Sequence, residues 1–460
     1  MEEDIQNHFV SPLAATRMTK KVEDILQEAV DAAAERQEYE SAHNEELLRA
    51  LAIVAAFIQK KKRVCYGGTA MNAILPEKLR FYNPEKDLPD YDFYTPSIED
   101  DVKELVADLQ EGGFKDVYNK VGMHEGTKKI LVNYTPVADI SAIEPELFST
   151  LFRRSILKDG IHYTDPDILR MMMYLELSRP KGQVARWPKV FERLQLVNRA
   201  FPIRGCGHGP RKRPVPAISP EIRKPIIDYV IEQERILCNG PIHAIYEKGI
   251  RHGSVKFRDP SKRPGPPVLF VSPAPREDGV ALKRLLESGG KEKDIRLFLH
   301  KSRGEIVPQR IELRAGNQPI CLIVEEVACH SNNSLPLEDG RVIHIGSLEF
   351  LITLYLAIDI FTSHSRDILG ERVLCDVAEF MNLAVENYRA KHSTFPAFSL
   401  TCRGHQTGFA SLLRAKVMRI QREREALEVK DSPSRKRKTR KAAKKKGVRA
   451  PKGSTTRSKK

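Results

Sequence analysis

Asp90 and Asp92 stand two residues apart in Asp90-Tyr91-Asp92-Phe93-Tyr94, a stretch with period-two alternation that ends at Thr95-Pro96. In a strand such residues project from one face, about 6.7 Å apart along the chain. Two carboxylates that close repel each other unless a divalent cation neutralises them, and hard oxygen donors suit Mg2+ or Mn2+. A third acid on a neighbouring strand, for which Asp139 in Pro136-Val137-Ala138-Asp139-Ile140-Ser141 is the candidate, would complete a two-metal site. Such a site activates a hydroxyl and stabilises a leaving phosphate. Upstream, Val64-Cys65-Tyr66 reads as a strand that runs into Gly67-Gly68-Thr69 and a short helix from Ala70. The two glycines permit close backbone approach, and the helix N-terminus beyond them offers N–H donors to a triphosphate. Thr69 adds a hydroxyl. An isolated Asp-x-Asp is more often a solvated edge strand; the Gly-Gly turn before it shifts the reading toward chemistry.

Further along, Arg186, Lys189 and Arg193 recur at helical spacing beside the apolar face Trp187, Val190, Leu194, Val197. They could grip a triphosphate or an RNA backbone, or be a solvated basic face. Asn72 and Tyr174 could touch sugar or base, with a helix cap and a core tyrosine as the plainer readings. His162 has no metal-ligand spacing. Cys206-Gly207-His208 and Cys329-His330 lack a second close pair, so zinc is not expected.

The elements that must position these groups follow from hydrophobic spacing. Val22, Ile25, Leu26, Ala29 and Val30 mark one helix; Leu47, Leu48, Leu51, Val54, Ala55 and Ile58 mark a second, behind an Asn44 cap. Val102, Leu105, Val106 and Leu109 mark a helix after the Asp-x-Asp strand, and Thr164-Asp165-Pro166 caps another through Leu177. Mixed strands and helices indicate an α/β (α+β) core. Six prolines and the basic run Arg211-Lys212-Arg213 lie between Phe201 and Ile226, a linker composition. Across it runs a faint duplication. Val64-Cys65-Tyr66-Gly67-Gly68 matches Ile236-Leu237-Cys238-Asn239-Gly240, Phe93-Tyr94-Thr95-Pro96 matches Phe270-Val271-Ser272-Pro273, and Pro136–Ile140 matches Pro319–Ile323. The second copy sets Pro267, Leu269 and Leu322 where the first has Asp90, Asp92 and Asp139. If the acids carry chemistry, copy one is active and copy two is a scaffold.

Strand, Gly-Gly, helix, Asp-x-Asp and a later single Asp resemble the DNA polymerase β-type nucleotidyltransferase superfamily. Tyr66-Gly67-Gly68-Thr69-Ala70-Met71-Asn72, Leu88-Pro89-Asp90-Tyr91-Asp92-Phe93-Tyr94, Tyr174-Leu175-Glu176-Leu177-Ser178-Arg179-Pro180 and Arg186-Trp187-Pro188-Lys189-Val190 look more narrowly like the catalytic subunit of poly(A) polymerases of large DNA viruses. The specific match covers roughly residues 60–200. The resemblance implies tandem nucleotidyltransferase-like domains, a catalytic one at 46–200 and a degenerate one at 226–428. A helical segment at 1–45 precedes them, a linker at 201–225 joins them, and a disordered basic tail at 429–460 follows. It implies Gly67, Gly68, Asp90, Asp92 and Asp139 as site residues, ATP as substrate, Mg2+ or Mn2+ as cofactor and an RNA 3′ end as acceptor. The expected compartment is intracellular: host cytoplasm or virion, or the nucleus on account of the tail. Transfer to another acceptor, such as a tRNA end or a small molecule, and a non-catalytic RNA-binding scaffold remain as alternatives, and a homodimer or processivity partner stays open.

The formal charge of +15 over 460 residues suggests a polyanionic partner. Residues 430–460 hold fifteen Lys and Arg against the single acid Asp431, which leaves the remainder close to neutral. Such a run binds phosphate backbones or serves as a nuclear address. Seven scattered cysteines suggest reduced thiols. Phe350–Ile358 is too short to span a bilayer, and Met1–Asp4 has no basic leader, so neither a membrane span nor a signal peptide is expected.

Overall fold

The computed structural model describes residues 12–83, 87–203, 217–240, 242–252, 260–290, 294–363, 368–369, 373–389 and 395–431. The middle of the expected linker and the expected basic tail beyond Asp431 lie outside the described residues, as does Met1–Asp4.

The first half runs α1 (Pro12–Ala42), α2 (Glu45–Lys61), β1 (Val64–Tyr66), α3 (Gly67–Ile74), β2 (Tyr91–Thr95), α4 (Ile98–Glu111), β3 (Val117–Val121), β4 (Thr127–Val132), β5 (Thr135–Ala142), α5 (Pro145–Arg154), β6 (Ile156–Lys158), β7 (Ile161–Tyr163), α6 (Pro166–Leu177) and α7 (Trp187–Ala200). The expected caps are made: Asn44 accepts from the Leu47 N–H at 3.0 Å, and Asp165 accepts from the Asp167 N–H at 2.8 Å ahead of Pro166. The seven strands lie in the order β3-β4-β5-β2-β1-β7-β6. Buried Val54, Phe57, Ile58, Leu105, Leu109, Phe93 and Ile140 join α2 and α4 to the sheet.

The second half repeats this plan. It comprises α8 (Pro220–Glu232), β8 (Ile236–Leu237), α9 (Ile242–His252), β9 (Val268–Ser272), α10 (Pro275–Ser288), β10 (Ile295–His300), β11 (Arg310–Ala315), β12 (Gln318–Glu325), β13 (His330–Pro336), β14 (Val342–Gly346), α11 (Leu348–Phe361), α12 (Val373–Arg389), β15 (Cys402–Arg403) and α13 (Phe409–Asp431). Its sheet order is β10-β11-β12-β9-β8-β14-β13-β15, the order of the first sheet with β15 added at one edge.

The registers agree residue by residue with the duplication read from the sequence. Cys65 faces Phe93 as Leu237 faces Phe270, Asp92 faces Asp139 as Leu269 faces Leu322, and Val64 faces His162 as Ile236 faces His344. Both sheets carry a bulge at the same place, after Ile130 and after Leu313. Lys62 and Glu234, each just past a helix end, both take a left-handed φ of 51°. Each half also holds one arginine on a buried carboxylate with two hydrogen bonds: Arg63 on Asp101 at 2.7 and 2.9 Å, and Arg235 on Asp278 at 2.7 and 3.0 Å. These forks lock the strand-entering loops to α4 and α10.

The halves join through α6 and α11, which pack on each other. α11 is buried nearly all round, so its nine-residue apolar stretch is an interface core. Fully buried Arg170, paired with Asp167 on its own helix, ties α6 to α7 through the Asn198 amide oxygen at 2.6 Å and the Phe201 carbonyl. α13 departs from the expected partition of 226–428 as one unit. Its Arg419 donates to the Gly122 and Met123 carbonyls at 3.3 and 2.8 Å, and its Glu423 pairs with Lys128, so the C-terminal helix docks on the β3–β4 hairpin of the first half. Fully reduced thiols are not found either. Pairing of β13 with β15 sets Ser331 against Cys402 and leaves Cys329 and Cys402 with Cα atoms 5.4 Å apart, joined as a disulfide, and Cys375 is bonded as well. Cys65, Cys238 and Cys321 are free and buried. No helix among the described residues is long and apolar enough to cross a membrane.

Asp278 also accepts from Tyr229 and Ser272 at 2.8 and 2.6 Å. Asp278→Asn would leave the half-buried Arg235 guanidinium without its charged partner and is expected to lower unfolding free energy by about 1.5–3 kcal/mol in urea titration, with a double change that also replaces Arg235 by Met recovering part of the loss.

Candidate active site

β2 and β5 are parallel neighbours, and their register puts Asp92 beside Asp139. Asp90 stands one residue before β2, at the mouth of the same end. β1, antiparallel to β2, sets Tyr66 against Asp92 and delivers the chain into α3 at that mouth. The turn requires glycine for two reasons at Gly67: φ is +74°, and a Cβ there would lie 2.4 Å from Asp92 Oδ2. At Gly68 a Cβ would meet Tyr82 Oη at 2.3 Å and Arg193 Nη1 at 2.9 Å. The Gly-Gly pair therefore lets a carboxylate press on one side of the turn and a guanidinium–phenol pair on the other.

α3 also fixes the loop that carries Asp90. Thr69 Oγ1 accepts from the Asp90 N–H at 3.0 Å, and Asn72 Oδ1 accepts from the Phe81 and Tyr82 N–H groups at 2.9 and 3.0 Å. Asn72 Oδ1 thus anchors the loop that leads to Asp90. Arg193 on α7 donates to Tyr82 Oη at 3.0 Å and stacks over the Phe81 and Tyr82 rings, 4.5 and 5.4 Å from their centroids. Arg186, exposed, pairs with Glu176 at 3.3 Å and is close enough to draw Asp92 downward. Lys189 is exposed. Tyr66, stacked on Tyr94 at 4.1 Å, exchanges a hydrogen bond with Ser141 at 2.9 Å, which continues to Thr127 at 3.0 Å beneath the acids.

The acids interact as a cluster. Burial, then Asp90, then Asp139 push Asp92 up to about 7, against the pull of Lys129 and Arg186. Asp90 is raised by burial and by Asp139. Lys129 lies across the β4–β5 ladder from Asp139 with Nζ 2.5 Å from Oδ2, so one ammonium already offsets part of the charge. Among the described residues no three acidic, His or Cys groups close around a single point. The donor set still fits a hard divalent cation: all oxygen, mutually repelling, and open to solvent on the Asp90 side.

Seven of the expected residues thus meet at one place: Gly67, Gly68, Thr69, Asp90, Asp92, Asp139 and Arg193. Lys129, Tyr82, Phe81 and Tyr66 join them and were not anticipated. Lys129 sits in a Lys-Lys-Ile-Leu-Val strand where alternation shows a face but not its neighbour, and only the β4–β5 register supplies Asp139.

The equivalent place in the second half is closed. Leu269 and Leu322 are fully buried, and buried Asn239 donates to the Pro267 carbonyl at 2.7 Å while accepting from the Leu269 N–H at 2.8 Å. The amide fills the gap that the acids line in the first half.

Residues 52–183 match the family model of the poly(A) polymerase catalytic subunit, which bears out the resemblance read from the motifs over that segment. Curated relatives described, provisionally, as poly(A) polymerase catalytic subunits are 30% identical over 164 residues in African swine fever virus and 32% identical over 160 residues in Acanthamoeba polyphaga mimivirus. The alignments take in 34% and 33% of this chain and 34% and 26% of those proteins, so the chain spans about a third of the length of the curated relatives it matches. The crystal structure of the megavirus polyadenylate synthase superposes with a TM-score of 0.69 at 18% identity, covering 97% of this chain and 92% of that one, which establishes a shared fold across both halves.

A carboxyl held at about 7 when folded, against an ordinary 3.8, makes the unfolded state the better acid, so without metal stability is fully present below pH 4 and falls as pH rises toward 7. Melting of the metal-free protein between pH 5 and 8 should show this decline. Mg2+ or Mn2+ should raise the midpoint more at pH 8 than at pH 5, and Asp92→Asn should flatten both trends.

Proposed function

We propose that the chain is a template-independent nucleotidyltransferase that adds adenylate from ATP to an RNA 3′ end. The observation that carries this reading is the Asp92–Asp139 pairing with Asp90 alongside, set against the glycine turn at the start of α3. Phosphoryl transfer asks for two things at one point: a cradle for a triphosphate and carboxylates that gather positive charge around the reacting phosphorus. Gly67 and Gly68 open the backbone at the α3 N-terminus to the phosphates, and Arg193, with Arg186 behind it, supplies guanidinium charge. Asp90, Asp92 and Asp139 would hold Mg2+ or Mn2+, which would supply Lewis acidity that lowers the pKa of the 3′ hydroxyl so that its proton passes to water. The 3′ oxygen then forms the new bond to the α-phosphorus as the bond to pyrophosphate breaks.

Choice of adenine and of RNA is supported by the names of the relatives, since nothing in the acid cluster selects a base. The two alternatives, another acceptor and a silent scaffold, differ in outcome from this reading when primer extension is run with each of the four NTPs. With RNA and ATP the wild type is expected to extend, and Asp90→Asn with Asp92→Asn is expected to abolish extension while the metal-free protein melts no lower than wild type. Full extension by that double variant would sink the proposal.

The domain reading that accompanies it is a catalytic unit at 46–200 and a degenerate one from 226, with a basic tail that binds RNA without touching the chemistry. Deleting residues 432–460, which leaves α13 whole, should shorten products and flatten the salt dependence of RNA binding while metal-dependent transfer persists. An unchanged salt slope would leave intracellular targeting as the role of the tail.

A further inference from the structure

Sheet register carries a row of side chains outward from the acids on the side away from α7. Asp92 on β2 faces Asp139 on β5, Asp139 faces Lys129 on β4, and Lys129 faces Lys120 on β3. Directly paired residues share a face, so the four form one line across the sheet, about 14 Å from β2 to β3. The line ends in an aromatic platform. Lys120 Nζ stands 5.2 Å from the ring centroid of Tyr118, two residues along the same strand and therefore on the same face. Tyr134, at the β4–β5 turn, meets Tyr118 edge-on with centroids 5.7 Å apart and is 78% exposed. The Tyr118 hydroxyl is buried and has no hydrogen-bond partner among the described residues.

An edge strand commonly carries a lysine to discourage pairing with another strand. That duty requires neither a second lysine in line with it nor two tyrosines beside it, one of them left almost bare. The second half differs at both lysine positions: Glu312 occupies that of Lys129, fully buried and engaged by Arg314 and His300, and Phe298, with Arg314 5.5 Å from its ring centroid, occupies that of Lys120. Cations that alternate with exposed rings suit single-stranded nucleic acid, whose phosphates need charge and whose unpaired bases need a surface to stack on.

We infer that Lys129, Lys120, Tyr118 and Tyr134 form the track that seats the 3′-terminal nucleotides of the acceptor RNA and leads its end to Asp139. This deepens the proposed function and rests on it. The acids then lie between two cationic banks: Arg193 and Arg186 with the glycine turn on the triphosphate side, and the lysine–tyrosine row on the acceptor side. Two polyanions meet there without sharing a binding surface.

The test uses the full chain, with direct binding of oligo(U) and oligo(A) RNA by fluorescence anisotropy alongside steady-state extension. Tyr118→Ala is expected to weaken RNA binding about tenfold or more, with Tyr118→Phe restoring it because stacking needs the ring. Tyr134→Asn, which suits the left-handed φ of 68° at that turn, should weaken binding in the same sense. Lys120→Ala should lower the slope of log affinity against log salt by about 0.7. In extension the change should fall on KM for RNA and leave KM for ATP in place. If wild type extends RNA and these variants bind it normally, the track is wrong and the proposed function stands. If wild type binds RNA but transfers no nucleotide, the proposed function fails, and the binding series alone decides the track. Absence of any RNA binding by wild type would overturn both.

Discussion

Mutual repulsion among Asp90, Asp92 and Asp139 is the constraint around which the first half is arranged. Parallel pairing of β2 with β5 forces two carboxylates together, and burial raises the cost of ionising them. Nearly every nearby feature serves to contain that charge or to hold its geometry. Lys129 lends an ammonium, Thr69 pins the Asp90 backbone, Tyr66 and Ser141 buttress the strands from below, and Gly67 yields its Cβ so that Asp92 can lie against the turn. A protein without use for a cation at this point would be more stable with leucines there, which is what the second half has.

The second half is a control experiment within the same chain. It keeps strand order, register, the bulge, the left-handed residue after the helix and the arginine–carboxylate fork, and it replaces all three acids. With repulsion gone, the site collapses: Leu269 and Leu322 pack, and Asn239 satisfies the backbone groups at the strand mouth. Framework and chemistry are therefore separable in this fold. The forks and the α6–α11 interface carry stability, while the acids are a local liability that the framework tolerates.

The two halves are also not independent bodies. α6 and α11 pack on each other across the halves, Trp187 and Phe191 of α7 pack on Phe398 from the second half, and α13 returns across the molecule to the β3–β4 hairpin. Through α7, the second half braces the helix that presents Arg186 and Arg193 to the glycine turn, a mechanical contribution from a copy that lacks the acids.

The acids, the glycine turn and the duplication were legible in the chain because each depends on local order: alternation in a strand, a Gly-Gly break, and motifs recurring at nearly constant offsets. Local spacing likewise determined the Asn44 and Asp165 caps. Register and packing decided the rest. Lys129 belongs to the site only because β4 pairs with β5 where it does, and Asn72 holds the loop to Asp90 only because Phe81 and Tyr82 fold back onto α3. The Cys329–Cys402 bond needs β15 to reach the edge of β13, and no rule of spacing foretells a contact across 73 residues. Sequence alone determined which groups could do chemistry, since that resides in residue type and short-range period. Which of them meet is a property of strand neighbours distant in the chain, and only the tertiary structure could decide it.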